Sequence, residues 1–168
     1  THPSFAKPNA DILDILKSLA SNVQNDVFII SGRDSKTLDS WLGHLPVNII
    51  AEHGASFRYK NGEWQPEESI ASDWIAPMSA IMNNYVRRCA NSFVETKQYS
   101  IAWHYRNAEE EQGALRAAEL YNELLEYTNS MDIHVLRGNK VVEVRNKGIS
   151  KGAATKRVLQ YENYDFIL

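Results

Sequence analysis

Ser31, Gly32 and Arg33 follow directly on the apolar run Val27–Ile30. In an open α/β sheet, ligands lie beyond the carboxyl ends of the parallel strands, where side chains leaving a strand face the bound molecule. Glycine lets the backbone come close to a ligand, and the amides of a following helix can face an anion. The pattern is therefore typical of a phosphate site, although an ordinary strand-to-helix turn with a serine N-cap is an alternative.

Two later stretches also place polar side chains at predicted element boundaries. Glu52–Gly54 follows a second apolar run that ends at Ala51. Lys151 lies in the first turn of the helix predicted by the amphipathic segment 153–161, and Ser150 is predicted to cap that helix. A lysine is unusual there because the helix dipole favours acidic side chains at this end. It fits a phosphate or a carboxylate cluster lying opposite.

Together these motifs resemble those of the haloacid dehalogenase (HAD) phosphatases, and within them they are most similar to the trehalose-6-phosphate phosphatase family. Two middle segments, 95–106 and 140–145, resemble that family's sugar-binding cap strands. The resemblance covers nearly the whole chain. Asn146 departs from it, since the family commonly has proline there, and we expect this to alter only the exit from the cap strand.

The resemblance implies a role for each matched residue. Ser31 would donate a hydrogen bond to a phosphoryl oxygen, and Lys151 would neutralise the phosphate and the nucleophile, so both are expected to be catalytic. The expected substrate-binding residues are Arg33, Glu52, His53, Gly54, Glu95, Lys97, Arg106, Lys140 and Glu143.

Arg33 and His53 each have a second interpretation. Arg33 contacts the phosphate or sugar, or it pairs with Asp34 or Glu52. His53 shapes the site, or it is a buried histidine satisfied by hydrogen bonds. The residue types alone do not separate these alternatives.

The predicted cap strands carry charged side chains that could bind sugar hydroxyls. Glu95 and Lys97 are two residues apart in a predicted strand and so share a face. Arg106 has the opposite parity, as Lys140 does to Glu143. Regular strands would not direct all five side chains one way, so strand ends or bulges correct the direction, or some of the five are solvated surface charges.

The family's catalytic centre is an Asp-x-Asp-Gly-Thr run, which supplies the nucleophile and the acid/base, together with a late Gly-Asp-Asp that holds magnesium. Neither run occurs between Thr1 and Leu168. We therefore expect no metal ligands in this segment, Mg²⁺ ligands outside it, and no phosphatase activity from the 168 residues alone.

For the full-length protein, the resemblance implies magnesium-dependent hydrolysis of trehalose 6-phosphate to trehalose and phosphate through an aspartyl-phosphate intermediate. Another HAD sugar phosphatase, such as one acting on sucrose phosphate, would share the core but differ in the cap. A catalytically inactive sugar-binding or regulatory module is the alternative from a different class. The expected partners are a small sugar phosphate and subunits of trehalose-phosphate synthase.

Composition excludes several other classes of function. The net charge is -3, and no basic patch interleaved with aromatic residues indicates nucleic-acid binding. No apolar stretch approaches the roughly 20 residues that cross a bilayer. The single Cys89 cannot form an internal disulfide, which suits a reducing compartment, and we expect a cytoplasmic protein.

Hydrophobic periodicity predicts the elements that must position these residues. Near the start of the chain, a helix over 9–20, a strand over 27–30, a helix over 35–42 and a strand over 47–51 alternate as in a parallel sheet. An Asn-Gly pair within 57–64 predicts a hairpin. A strand is predicted over 165–168.

The middle of the chain changes pattern. Helices are predicted over 74–88 and 109–128, and strands over 93–98, 99–105, 133–137 and 141–145, with a turn at Gly138–Asn139. The predicted fold is a HAD-like, Rossmann-type parallel sheet core with an inserted α+β cap of two helices on an antiparallel sheet. Residues 1–67 and 146–168 would form the core, and residues 68–145 the cap.

Overall fold

The computed structural model describes residues 7–67, 70–161 and 164–167. The chain divides into two compact units. The first unit comprises the described residues of Thr1–Glu68 and Ile149–Leu168, and the second unit those of Ser69–Gly148. In the described part of the chain, none of the helices has the length and apolar character that a membrane crossing requires.

Helices and short strands account for most of both units. In chain order the helices are α1 (Ala10–Ser21), α2 (Ser35–Leu42), α3 (Ile75–Arg88), α4 (Glu110–Leu125) and α5 (Lys151–Tyr161). The strands are β1 (Phe28–Ile30), β2 (Asn48–Ala51), β3 (Ser56–Arg58), β4 (Gln65–Pro66), β5 (Phe93–Thr96), β6 (Ser100–His104), β7 (Ile133–Gly138) and β8 (Val141–Asn146). A 3₁₀ turn, Glu52–Gly54, follows β2.

The sheet of the first unit is mixed and has the order β1-β2-β3-β4. β1 and β2 are parallel, as the sequence predicts, with Ile29 opposite Ile49. β3 and β4 are antiparallel to their neighbours, so the predicted parallel sheet holds only for the first pair of strands. The predicted hairpin forms between β3 and β4, and Asn61 adopts a left-handed φ of 63° within its loop. 

The helices of the first unit begin at polar caps. Asn9 caps α1, because its Oδ1 accepts a hydrogen bond from Ile12 N at 3.0 Å. Asp34 caps α2 and accepts from Thr37 N at 2.8 Å. The alternative that Ser31 is the N-cap of this helix is therefore wrong, since the chain makes a further turn between Ser31 and the helix.

The second unit is an antiparallel sheet with two helices on one face. Its strand order is β5-β6-β8-β7. Alternate strand residues pack against α3 and α4. The helices and strands together form one buried cluster, which includes Met78, Met82, Ile101, Trp103, Leu120, Leu124, Val142 and Val144. The intervening residues form what we call the helix-distal face. They are Phe93, Glu95, Ser100, Ala102, His104, His134, Leu136, Val141, Glu143 and Arg145.

Beyond shifts in the ends of helices and strands, two further details differ from the sequence prediction. Gly138 still pairs with Val141, so the turn between β7 and β8 is Asn139–Lys140, with Lys140 at a φ of 62°. Residues 165–167 do not form the predicted strand, and Leu168 lies outside the described residues.

Asn146 does more than end its strand. Its buried side chain accepts a hydrogen bond from Trp74 Nε1 at 3.1 Å and donates one to the Ala71 carbonyl at 3.0 Å. Trp74 Nε1 also donates to the Ala71 carbonyl, at 2.9 Å. The expectation that Asn146 alters only the strand exit was therefore too narrow, because the side chain joins the two ends of the second unit.

Candidate functional site

The Ser31 turn is fixed to the neighbouring strand by its backbone. Ser31 N donates to the Ile50 carbonyl at 2.9 Å, directly after the last residue of β1. The Ser31 hydroxyl oxygen accepts from Arg33 N at 3.1 Å, which closes a tight local turn. A hydroxyl has one donor and two acceptor sites, so this bond leaves its O–H to donate elsewhere.

The Glu52–Gly54 turn is held to the Ser31 turn by two backbone hydrogen bonds. Glu52 N donates to the Arg33 carbonyl at 3.0 Å, and His53 N donates to the Ser31 carbonyl at 2.8 Å. Glu52 and His53 adopt left-handed φ values of 44° and 62°. Such a conformation is uncommon for residues other than glycine and costs about 1–3 kcal/mol each. The long-range bonds to the Ser31 turn compensate for that cost.

Gly32 and His53 are in close contact. An ideal Cβ built on Gly32 would lie only 2.4 Å from His53 Nε2. Any side chain at position 32 would therefore displace the imidazole. Glycine is needed here because His53 lies so close, and not because the backbone has a positive φ. The contact favours the interpretation that His53 shapes the loop after β1.

Replacing Gly32 with alanine should destabilise the first unit by about 1–3 kcal/mol, the usual cost of overpacking. Gly152→Ala is the matched control, because its added methyl would meet nothing closer than the Ser150 hydroxyl oxygen at 3.9 Å. Chemical denaturation of both variants measures the difference. A Gly32→Ala/His53→Ala double variant should recover much of the loss attributable to the clash. If its loss were instead the sum of the two single losses, the clash would not be the cause.

The start of α5 packs against the Glu52–Gly54 turn. A Cβ on Gly54, which has a φ of 120°, would lie 3.1 Å from Ala154 Cβ and 3.3 Å from the Ser150 carbonyl oxygen. Ser150 Oγ accepts from Ala153 N at 3.0 Å, which confirms the predicted cap. Lys151 is the first residue of α5 and is exposed. The first unit thus brings all three predicted motifs into one region.

Arg33 has an aromatic contact that the sequence did not indicate. Its guanidinium lies over the Trp41 ring of α2, 4.5 Å from the ring centroid. A cation above an indole face is attracted by the ring quadrupole. Glu52 is buried, with only 5% of its surface exposed. Their predicted roles in substrate binding stay predictions.

On the helix-distal face of the second unit, Glu95 and Glu143 both lie opposite Ala102, in one row across β5, β6 and β8. Directly opposed residues share a face, so the small Ala102 side chain separates two carboxylates. Lys97 lies beyond the end of β5, and its Nζ is 3.6 Å from Glu95 Oε1. This arrangement groups three of the five predicted sugar-binding side chains.

His104 also contacts Glu95, with 2.9 Å between Nε2 and Oε2. The hydrogen bond from His104 lowers the pKa of Glu95 below its ordinary value, and the Lys97 ammonium adds to this, against the opposing effect of partial burial. The Glu95 carboxylate therefore stays ionised into the acidic range and can accept hydrogen bonds.

Lys140 lies in the turn between β7 and β8, and Arg106, which follows β6, contacts this turn. Arg106 Nη2 donates to the Asn139 carbonyl at 3.0 Å. Lys140 Nζ lies 2.8 Å from Glu110 Oε1 on α4, and this hydrogen bond lowers the pKa of Glu110. Because α4 packs on the other face of the sheet, Lys140 is directed away from Glu95 and Glu143. Sugar binding by these two residues stays a prediction.

The described residues do not form a metal centre. Across 7–67, 70–161 and 164–167, no group of three or more His, Cys, Asp and Glu side chains could hold a metal ion. The described residues therefore do not by themselves supply a ligand set for the magnesium that the resemblance implies.

The sequence model of the trehalose-phosphatase family matches residues 1–167. The chain belongs to the trehalose-phosphatase family. The resemblance drawn from the motifs is therefore confirmed. Membership of this family of HAD phosphatases generally implies a metal cofactor.

Relatives and solved structures agree with this assignment. The chain is 39% identical over 168 residues to Alpha,alpha-trehalose-phosphate synthase [UDP-forming] B of Dictyostelium discoideum, a match covering 99% of this chain and 21% of that protein. It is also 39% identical over 166 residues to the bifunctional trehalose-6-phosphate synthase/phosphatase of Thermoproteus tenax, covering 99% of this chain and 23% of that protein. The chain thus spans about a fifth of the length of the curated relatives it matches.

The C-terminal domain of Candida albicans trehalose-6-phosphate phosphatase shares the fold. Its TM-score is 0.88 at 31% sequence identity, over 95% of this chain and 56% of that one. The predicted HAD-like α/β fold is thereby confirmed.

Proposed function

We propose that the protein, at its full natural length, hydrolyses trehalose 6-phosphate to trehalose and phosphate through an aspartyl-phosphate intermediate. The observation that carries this proposal is the meeting of the Ser31 turn, the Glu52–Gly54 turn and the start of α5 in a chain of the trehalose-phosphatase family. Phosphoryl transfer needs charge neutralisation and positioning around the phosphate more than any other contribution from the protein.

On the phosphate side, Ser31 donates its hydroxyl proton to a phosphoryl oxygen, and Lys151 neutralises charge on the phosphate and the nucleophile. The N-terminus of α5 adds the positive end of a helix dipole beside Lys151. A charge-assisted hydrogen bond of this kind contributes about 1.5–3 kcal/mol. Mg²⁺ is the proposed metal, since it is a hard cation that binds phosphate and carboxylate oxygens.

On the sugar side, Glu95, Lys97 and Glu143 form hydrogen bonds with glucose hydroxyls. Two observations support this proposal. Glu95 and Glu143 flank Ala102 on one face of the sheet, and the Lys97 ammonium lies beside Glu95. Sugar hydroxyls both donate and accept, so a carboxylate beside an ammonium matches them better than either charge alone.

Phosphate release from three substrates tests the proposal. With Mg²⁺ present, we expect kcat/KM for trehalose 6-phosphate to exceed that for glucose 6-phosphate and sucrose 6-phosphate by about tenfold or more, because the smaller or differently shaped sugars leave polar groups unpaired. A preference for sucrose 6-phosphate would contradict the proposal that trehalose 6-phosphate is the substrate. Trehalose 6-phosphate that binds without turnover would instead indicate an inactive sugar-binding module.

We further propose that trehalose-phosphate synthase is a partner and that the protein is cytoplasmic. The Thermoproteus tenax relative is named as a bifunctional synthase/phosphatase, which supports an association with synthase. The thiol of Cys89 is free and buried, as a reducing compartment allows.

A further inference from the structure

His104 contacts Glu95 from the neighbouring strand of the sheet. It lies in β6, directly opposite Phe93 of β5, and the two rings stack with 4.8 Å between centroids and 18° between planes. Its Nε2 reaches diagonally to Glu95 Oε2 at 2.9 Å. The imidazole is therefore held flat by one neighbour while its edge faces the carboxylate of another.

The contacts of Glu95 divide between its two oxygens. Oε2 faces His104, and Oε1 lies 3.6 Å from Lys97 Nζ. Each carboxylate oxygen has about two acceptor sites, so both keep capacity for a further hydrogen bond. The Glu95 side chain is 44% exposed, so without a fixed partner it would sample several rotamers. The contact of Glu95 with His104 is shorter than its contact with Lys97, and the histidine side chain is stiffer than the lysine side chain.

We infer that His104 is a positioning residue, which holds the Glu95 carboxylate in one orientation so that it accepts hydrogen bonds from a sugar hydroxyl. The inference rests on the proposed function, since it names how one sugar-binding carboxylate is prepared. Phe93 supports the orientation by stacking on the imidazole. Because His104 acts through a proposed sugar-binding carboxylate, its effect falls on recognition of the sugar.

Two substitutions separate the hydrogen bond from the ring. His104→Phe keeps an aromatic ring against Phe93 but removes the donor, whereas His104→Gln restores an N–H donor. In the protein at full natural length, we expect His104→Phe to raise KM for trehalose 6-phosphate about three- to tenfold, with kcat nearly unchanged. His104→Gln should recover most of this loss. His134→Phe, an exposed histidine on β7 of the same face, is the matched control and should leave KM unchanged.

A double-variant cycle tests the route through Glu95. If His104 acts by holding that carboxylate, His104→Phe should add little to the KM of Glu95→Ala. Full additivity would overturn the inference, as would an unchanged KM in His104→Phe. Equal losses on trehalose 6-phosphate and a small phosphate ester would also overturn it, because a structural role affects both. Failure of the proposed function looks different, since Glu95→Ala itself would then leave KM unchanged.

If the His104→Phe variant does not fold, a measurement on the wild-type His104 side chain can still test the inference. Nitrogen-15 NMR of the His104 imidazole, titrated with trehalose, should show a shift of the Nε2 resonance in the wild-type protein. The shift should be much smaller in Glu95→Gln, which is nearly isosteric but lacks the carboxylate charge. A wild-type resonance that does not respond to saturating trehalose would overturn the inference.

Discussion

Lys151→Ala should lower kcat for trehalose 6-phosphate by about 10- to 150-fold, since it removes a charge-assisted bond worth about 1.5–3 kcal/mol. The lysine lies at the N-terminus of α5, against which the Glu52–Gly54 turn packs. In the proposed function, its charge neutralises the negative charge that concentrates on the phosphoryl group. The loss should therefore fall mainly on kcat, with a smaller change in KM. Steady-state phosphate release by the protein at full natural length measures both constants.

Two further variants make the Lys151 result specific. Lys156→Ala removes another exposed lysine of α5 and should leave kcat unchanged, which excludes a general effect of helix charge. Ser31→Ala should also lower kcat, but less, because the serine hydroxyl donates a hydrogen bond without carrying a positive charge that neutralises the phosphate. An unchanged kcat in Lys151→Ala would remove this lysine from the phosphate site, whatever the Ser31 variant shows.

Much of this site was predictable because its signals are local in sequence. The apolar run before Ser31 predicted β1, and Ser150 was recognised as a helix cap from its residue type and position. α2 has the predicted bounds, Ser35–Leu42. Glu109 is the N-cap of α4, at the predicted start of that helix, since its carboxylate accepts from two backbone amides of the first turn. Caps and hydrophobic periodicity depend on a few neighbouring residues, which a sequence displays directly.

The contacts that join the motifs were not predictable, because they depend on residues far apart in the chain. The left-handed backbone at Glu52 and His53 is held by hydrogen bonds to the carbonyls of Arg33 and Ser31. The residue types at these positions do not indicate this conformation. The grouping of Glu95 with Glu143 requires the register of two strand pairs. Parity within one strand could not supply that register, and it gave no indication of the contact between Lys140 and Glu110.

Glu143→Ala should reduce kcat/KM for trehalose 6-phosphate roughly ten- to a hundredfold, as expected when sugar hydroxyls lose a partner worth about 1–3 kcal/mol. Glu143 lies on the helix-distal face, across Ala102 from Glu95, in a unit that does not contain the Ser31 turn or Lys151. A small phosphate ester has no sugar for this carboxylate to bind. Its slow hydrolysis should therefore be unchanged in the same variant.

Comparing both substrates in one variant separates recognition from chemistry. Glu126→Ala, which removes an exposed carboxylate at the end of α4, is the control and should affect neither substrate. If Glu143→Ala slowed both substrates equally, Glu143 would support the fold or the chemical step, and its role in sugar recognition would be wrong. A loss confined to trehalose 6-phosphate would instead locate part of the substrate selectivity in the second unit, since Ser31 and Lys151 of the first unit, which we propose to bind the phosphate, are intact in this variant.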